Sequence, residues 1–115
     1  MRHPSETRLA TYGTLSPGRP NHHHLAGLSG EWRSGLVRGR LLAEGWGADL
    51  GFPGLALDPQ GPEVAVAVFE SADLPEHWPR LDAFEGEGYR RVKVLVRIGK
   101  DEIETCIYVL ASTEV

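Results

Sequence analysis

A carboxylate inside an apolar helical stripe is the feature of this sequence best suited to acid–base chemistry. In the segment Trp78–Gly86, a helical rotation of about 100° per residue places Trp78, Leu81 and Phe84 on one face. Glu85 follows Leu81 by four residues and therefore falls within the same stripe. Burial disfavours the charged form of a carboxyl group and raises its pKa, as a general base or acid working near neutral pH requires.

A structural role for Glu85 fits the same spacing. Its carboxylate could pair with Arg90 or Arg91 just beyond the end of the helix, and ion pairs of that kind also perturb carboxyl groups. Asp82 lies at the edge of the stripe, so we do not expect it to share a proton with Glu85. Gly86 is placed to end the helix. The spacing alone leaves both roles for Glu85 open.

A second candidate segment follows the first predicted strand. The turn from Tyr12 to Gly18 reads Tyr-Gly-Thr-Leu-Ser-Pro-Gly, and a glycine-containing turn after a strand can direct several backbone N–H groups into one concavity. Such a concavity suits a carboxylate or a developing oxyanion. The segment lacks the Lys-Ser/Thr pair and the glycine spacing of a phosphate-binding loop, and an ordinary turn remains the alternative.

Other residues that could do chemistry favour simpler interpretations. The run His22-His23-His24 invites a metal site, but consecutive helical positions diverge by about 100°, so these histidines cannot all converge on one ion. We predict no metal site. Cys106 is the single cysteine, which excludes an intramolecular disulfide, and its position in a strand predicts a buried small apolar residue. Trp32, Trp46 and Trp78 are expected in the core or around a pocket.

Strand-like runs separated by turn residues must position these segments. Valine-rich or alternating runs predict the following strands: Leu9–Tyr12, Leu36–Leu42, a short one near Leu55–Leu57, Val64–Phe69 with both faces covered, Val92–Ile98, and Ile103–Leu110. The last two flank Gly99-Lys100-Asp101 and predict a hairpin. With 14 Gly and 8 Pro residues, the chain is turn-rich. The expected fold class is α+β, a small, mainly antiparallel β-barrel with one or two short flanking helices.

Two helical pieces are predicted beside the barrel. Asn21 is a suitable N-cap for a short helix that runs to Gly27. Asp73 opens a turn with Pro75 near its start, and Pro79 begins a second turn over Arg80–Glu85.

Length and charge limit the classes of function. The 115 residues fit a single domain, 1–115. The 12 Lys and Arg against 16 Asp and Glu give a net charge of −4, so we expect neither a nucleic-acid partner nor an anionic membrane surface. The polar start and the lack of a long apolar run predict a cytoplasmic protein.

Together the two candidate segments resemble the gamma-glutamylcyclotransferase-like family, in its small bacterial-type branch. Tyr12-Gly13-Thr14-Leu15, followed by Gly18, Asn21, His22 and Leu25, is similar to the N-terminal strand and loop of the family. The run from Leu81 to Arg91 resembles its Glu-Gly-x-x-Tyr-x-Arg signature, and the resemblance covers about residues 9–110.

The resemblance implies a compact β-barrel whose pocket lies where the Tyr-Gly-Thr-Leu loop meets the glutamate. Established members cyclise a γ-glutamyl group: the α-amine attacks the side-chain amide carbonyl, giving 5-oxoproline and a released amine or amino acid. Carried onto this sequence, Glu85 is the catalytic acid/base and Tyr89 lines the pocket. The loop formed by Tyr12, Gly13, Thr14 and Leu15 binds the α-carboxylate or the reacting carbonyl through backbone N–H groups. The reaction needs no enzyme nucleophile and no cofactor.

A non-catalytic domain that binds a small ligand or has a regulatory role on the same fold is the alternative. The expected partner is a small γ-glutamyl molecule, and the expected assembly is a monomer or a weak homodimer. The loops Gly18–Gly35 and Gly45–Gly61 are expected to determine which γ-glutamyl amide is accepted.

Overall fold

The computed structural model describes residues 4–12, 25, 27–42, 54–86 and 89–110. A 3₁₀ turn over Pro4–Thr7 precedes the first strand. Within the described residues the elements are β1 (Arg8–Thr11), β2 (Glu31–Leu42), β3 (Gly54–Leu57), β4 (Glu63–Glu70), α1 (Leu74–Glu85), β5 (Tyr89–Ile98) and β6 (Asp101–Leu110). The six predicted strands are therefore present. β2 begins at Glu31, five residues before the predicted start at Leu36.

Five strands close into a barrel in the order β2-β4-β1-β6-β5. The closing contact is an antiparallel pairing of Leu36 in β2 with Arg97 in β5. β1 runs parallel to β6, with Leu9 opposite Cys106, whereas the other pairings are antiparallel. β3 adds to β2 through four paired residues. The predicted mainly antiparallel barrel is confirmed.

The hairpin of β5 and β6 closes through two residues, Gly99 and Lys100. Ile98 pairs with Asp101, and Gly99 has a φ of +62°. A type II′ turn requires glycine at its first central position, because a side chain there is strained, so this glycine explains the tight connection. The predicted hairpin is confirmed.

Alternation along the strands builds two apolar cores. One core contains residues of every barrel strand and fills the barrel: Ala10, Val37, Leu55, Val64, Val66, Val68, Val96, Ile107 and Val109. The other lies between the barrel wall and α1: Leu9, Leu25, Phe69, Leu74, Trp78, Leu81, Cys106 and Tyr108. Neighbours such as Leu9 and Ala10 therefore face different cores, because successive side chains of a strand point to opposite faces.

This arrangement tests several predictions about single residues. Cys106 is 2% exposed, as expected of a small buried residue. Val68 and Phe69 lie in different cores, but Ala65 is exposed, so β4 is covered on both faces only toward its C-terminal end. Trp32 is half-buried and stacks on Phe69 with ring centroids 4.8 Å apart.

The helix differs from its prediction in one respect. The two turns expected on either side of Pro79 form one continuous helix of 12 residues. Proline removes one backbone hydrogen bond from a helix interior, and burial of Leu74, Trp78 and Leu81 offsets that loss. Of the helix predicted from Asn21 to Gly27, residues 21–24 and 26 lie outside the described residues. No helix of the described ranges is long and apolar enough to span a bilayer.

Candidate active site

Glu85 is the last residue of α1 and is buried with the apolar stripe of the helix. The buried residues of α1 are Leu74, Trp78, Leu81 and Glu85, whereas Asp82 and Arg80 are exposed. The stripe predicted from the helical spacing is therefore present, with Glu85 inside it and Asp82 beside it. Phe84 is half-buried and packs against the core between the helix and the barrel.

Burial sets the protonation of Glu85. Its exposure is 8%, and the loss of solvation raises the pKa of its carboxyl group from 4.5 to about 7. Both the carboxylate and the neutral acid are therefore populated near neutral pH. A group in this state can both accept and donate a proton during one reaction cycle.

Glycine fixes the end of the helix immediately after Glu85. Gly86 has a φ of +79° and donates its N–H to the carbonyl oxygen of Asp82 at 3.0 Å. The carbonyl oxygen of Gly86 accepts the N–H of Tyr89 at 3.3 Å, which leads the chain into β5. Gly86 therefore ends the helix as predicted, and the short connection keeps Tyr89 close to Glu85.

Tyr12 lies at the end of β1, and both partners of its hydroxyl are backbone groups. The hydroxyl donates to the carbonyl oxygen of Tyr108 at 2.7 Å and accepts the N–H of Leu55 at 3.0 Å. Tyr12 thus ties β1 to β6 and β3 at one end of the barrel. This anchors the start of the predicted binding loop; its other members, Gly13, Thr14 and Leu15, lie outside the described residues.

Three predicted site residues, Tyr12, Glu85 and Tyr89, are electrostatically coupled. Burial raises the pKa of the Tyr12 hydroxyl most, the hydrogen bond from Leu55 opposes the rise, and Glu85 and Tyr89 raise the pKa further. These interactions fall off with distance, so Tyr12, Glu85 and Tyr89 form one neighbourhood. Tyr89 is half-buried and packs against the core beside α1.

A polar cluster beside Glu85 was not predicted from the sequence. The guanidinium of Arg91 donates to both carboxylate oxygens of Asp82, at 3.1 and 3.2 Å, and its Cζ lies 4.3 Å from the ring centroid of Trp78. The hydroxyl of Tyr108 donates to the same carboxylate at 2.6 Å. Of the two arginines considered as partners for Glu85, Arg91 therefore binds Asp82.

Tyr108 is the member of this cluster that sequence reasoning missed. The alternation in β6 places Ile103, Thr105, Ile107 and Val109 on one face, and Tyr108 lies on the other. Its partner Asp82 is 26 residues away in sequence, and no local spacing indicates that contact.

The thiol of Cys106 is not set up as a nucleophile. Burial raises its pKa above the ordinary value of 9.0, although Arg91 and Lys93 act in the opposite direction. A protonated thiol reacts poorly, because the thiolate is the attacking species. Among the described residues, no three His, Cys, Asp or Glu side chains come together as metal ligands, and His22-His23-His24 lies outside them.

A separate cleft of about 490 Å³ lies on another part of the barrel. Leu36, Leu57 and Leu95 contribute to its lining, together with the ion pair of Arg97 and Glu63. The predicted site residues that the structure describes, Tyr12, Glu85 and Tyr89, do not line this cleft.

A known protein family matches most of the chain. The family model described as "Gamma-glutamyl cyclotransferase, AIG2-like" matches residues 9–115. The chain belongs to this family. The matched residues include Tyr12, Glu85 and Tyr89 and cover nearly the whole chain.

Solved structures support the cyclotransferase-like fold. YkqA from Bacillus subtilis is 26% identical with a TM-score of 0.70; the match covers 95% of this chain but 37% of YkqA. An AIG2-like protein from Mus musculus is 22% identical with a TM-score of 0.71, covering 94% of this chain and 79% of that protein. An uncharacterized protein from Pyrococcus horikoshii is 24% identical with a TM-score of 0.66, covering 95% and 81%. Among curated proteins, no sequence matches this chain significantly.

Proposed function

We propose that this chain is a gamma-glutamylcyclotransferase-type enzyme that cyclises a γ-glutamyl amide, with Glu85 as the acid/base. The observation that carries the proposal is the burial of the Glu85 carboxyl group, which raises its pKa to about 7, beside Tyr12 at the start of the predicted binding loop. An exposed glutamate, with a pKa of about 4.3, is ionised at pH 7, so the raised pKa of Glu85 supports a role in proton transfer.

The proposed reaction balances without a co-reactant. The α-amino nitrogen of the substrate attacks its own side-chain amide carbon, so a new C–N bond closes the five-membered ring. Glu85 accepts the proton released by the attacking nitrogen and then donates it to the departing nitrogen as the original C–N bond breaks. The products are 5-oxoproline and a free amine or amino acid.

Glu85 suits both halves of this proton transfer. The α-amine has a pKa of about 7.7–8.0, close to that of the buried carboxyl, so the proton can move either way without a large energetic cost. Because the attack is intramolecular, a substrate held in a folded conformation gains the advantage of proximity. No enzyme nucleophile is required.

Substrate binding is proposed for the loop that begins at Tyr12. In the proposal the backbone N–H groups of Gly13, Thr14 and Leu15 bind the α-carboxylate or the developing oxyanion, and Tyr89 lines the pocket. The hydroxyl of Tyr12 is bound to Tyr108 and Leu55, which supports a role in anchoring the loop. Each well-placed donor in an oxyanion site contributes about 3–4 kcal/mol in other acyl-transfer enzymes.

Partner, location and assembly are part of the proposed function. The partner is a small γ-glutamyl molecule, and the net charge of −4 favours neither nucleic acid nor an anionic membrane. We also propose that the protein is cytoplasmic, that it is a monomer or a weak homodimer, and that residues 1–115 form a single domain.

The test is mass-spectrometric detection of 5-oxoproline after incubation with γ-glutamyl amines, γ-glutamyl dipeptides, glutathione and a γ-glutamyl-lysine isopeptide. Wild type is compared with Glu85→Gln and with Glu76→Gln, which changes an exposed glutamate on the same helix. Product from wild type and Glu76→Gln, but not from folded Glu85→Gln, supports the proposal.

Two results would contradict it. Full turnover by Glu85→Gln would remove Glu85 from the chemistry. No product from any donor, with a rise in melting temperature on ligand addition, would favour the non-catalytic binding domain.

A further inference from the structure

Tyr108 holds two parts of the candidate site at once, one through its side chain and one through its backbone. The buried Tyr108 side chain extends from β6 toward α1, and its hydroxyl donates to Asp82 at 2.6 Å. Asp82 lies three residues before Glu85, so the bond attaches β6 to the last turn of the helix. Residues three apart lie on adjoining faces of a helix, and fixing one limits the movement of the other.

The backbone of the same residue is bonded to Tyr12. The carbonyl oxygen of Tyr108 accepts the hydroxyl proton of Tyr12 at 2.7 Å. Tyr12 is the residue from which the proposed binding loop starts. One residue of β6 is therefore bonded both to the turn that carries Glu85 and to Tyr12, the first residue of the proposed loop.

Arg91 keeps Asp82 in the orientation that Tyr108 uses. Its two N–H groups bind the two carboxylate oxygens, and its guanidinium lies against the ring of Trp78 one helical turn earlier. Paired donors of this kind fix the plane of a carboxylate. The ring of Tyr108 also meets Trp78 edge-on, with centroids 6.5 Å apart. The last turn of α1 is thus fixed by contacts from both β5 and β6.

We propose that Tyr108 is a positioning residue, whose hydroxyl acts through Asp82 and whose carbonyl acts through Tyr12 to set the placement of Glu85 relative to Tyr12. The proposal rests on the proposed cyclotransfer. Tyr108 itself touches neither the substrate nor the reacting atoms in this scheme. Loss of the Tyr108 hydroxyl should therefore affect the rate of the proton transfer more than the binding of the substrate.

The test uses Tyr108→Phe, which removes the hydroxyl but retains the ring and the backbone carbonyl that binds Tyr12. Thr105→Val is the matched control, because it removes a buried hydroxyl from the same strand that bonds locally to the carbonyl of Ile103 at 3.3 Å. Both are assayed well below their melting temperatures. We expect Tyr108→Phe to lower kcat about tenfold with KM within about twofold, since a misplacement near 1 Å can cost up to about 100-fold.

A second readout does not depend on turnover. The side-chain carboxyl carbon of Glu85 is titrated by NMR in ¹³C-glutamate-labelled protein, with the resonance assigned by its loss in Glu85→Gln. We expect its pKa to fall below the wild-type value in Tyr108→Phe, because a less restrained helix end admits water to the carboxyl. Thr105→Val should leave the pKa unchanged.

The Asp82→Ala background tests the route of the effect. If the hydroxyl of Tyr108 acts through Asp82, adding Tyr108→Phe to Asp82→Ala produces no further loss in kcat, whereas independent effects would multiply. A further tenfold loss in that background overturns the proposal. So does a Tyr108→Phe variant whose kcat or Glu85 pKa matches that of Thr105→Val.

A different set of results is expected if the protein does not catalyse the proposed cyclotransfer. If wild type releases no 5-oxoproline from any donor, the cyclotransfer is overturned and the kinetic comparison has no basis. The titration then decides positioning alone: a lowered Glu85 pKa in Tyr108→Phe supports it, and an unchanged value overturns it.

Discussion

The hydroxyl of Tyr12 donates to the backbone carbonyl oxygen of Tyr108 at 2.7 Å, across the parallel pairing of β1 and β6. The same hydroxyl accepts the N–H of Leu55 in β3 at 3.0 Å. One side chain therefore satisfies two backbone groups from two other strands. At this end of the barrel it replaces hydrogen bonds that a regular sheet would supply.

Removing that hydroxyl should destabilise the fold. In Tyr12→Phe, the carbonyl of Tyr108 and the N–H of Leu55 both lose their bond to the hydroxyl. We expect the free energy of unfolding to fall by about 1–3 kcal/mol, the usual cost of leaving buried polar groups unpaired. Urea denaturation measures the change, with Thr105→Val as a control for loss of a buried hydroxyl. A Tyr12→Phe variant as stable as wild type would show that these bonds contribute little.

The pKa of Glu85 makes the stability of the protein depend on pH. The folded state binds the proton with a pKa of about 7 and the unfolded chain with a value near 4.5, so unfolding releases a proton between these values. Stability contributed by the neutral acid is therefore present below the lower value and is lost as pH rises toward 7.

Glu85→Gln removes this dependence, because the amide stays neutral. Relative to wild type, its free energy of unfolding should rise by up to about 3 kcal/mol between about pH 4 and about pH 8. Thermal denaturation across this range measures the difference, with Glu76→Gln as the control from the same helix. A difference between Glu85→Gln and wild type that stays constant with pH would contradict the raised pKa.

Local periodicity explains why the burial of Glu85 could be predicted from the sequence. Glu85 follows Leu81 by one helical turn, and helix geometry alone then places it among the buried side chains. Gly86 directly after it predicts the helix end for the same reason. Strand alternation likewise predicts the hairpin of β5 and β6, because a two-residue turn fixes the register.

Contacts between distant segments could not be predicted in this way. The bonds of Tyr108 to Asp82 and to Tyr12 depend on how β6 lies between β1 and α1, which is a property of the closed barrel. The continuous helix through Pro79 was missed because tertiary burial of Trp78 and Leu81 outweighs a local helix-breaking signal. In both cases packing, and not local propensity, decides the outcome.

Turnover should rise with pH through the pKa of Glu85. Only the ionised carboxylate can accept the proton of the attacking amine, so the rising limb of kcat/KM should have a midpoint near 7. The α-amine of the substrate has a pKa of about 7.7–8.0, so its deprotonation also raises kcat/KM with pH in every variant. The residual rate of Glu85→Gln should keep the limb of the amine and lose the one near 7. A wild-type profile without inflection near 7 would assign the base to another group.

Gly86 should matter for activity as well as stability, and Gly99 provides the comparison. Both have positive φ, +79° for Gly86 and +62° for Gly99, where any other residue is strained. Alanine at either position should therefore lower the free energy of unfolding by about 1–2 kcal/mol.

Gly86 follows Glu85 directly, whereas Gly99 closes the hairpin at the opposite end of β5 from Tyr89. Because strain at Gly86 is relieved by shifting the last turn of α1, Gly86→Ala should also lower kcat about tenfold. Gly99→Ala should retain the wild-type kcat, and steady-state assays on both variants at a temperature where both are folded measure the difference. Equal loss of activity in the two would mean that overall stability, and not the placement of Glu85, determines the rate.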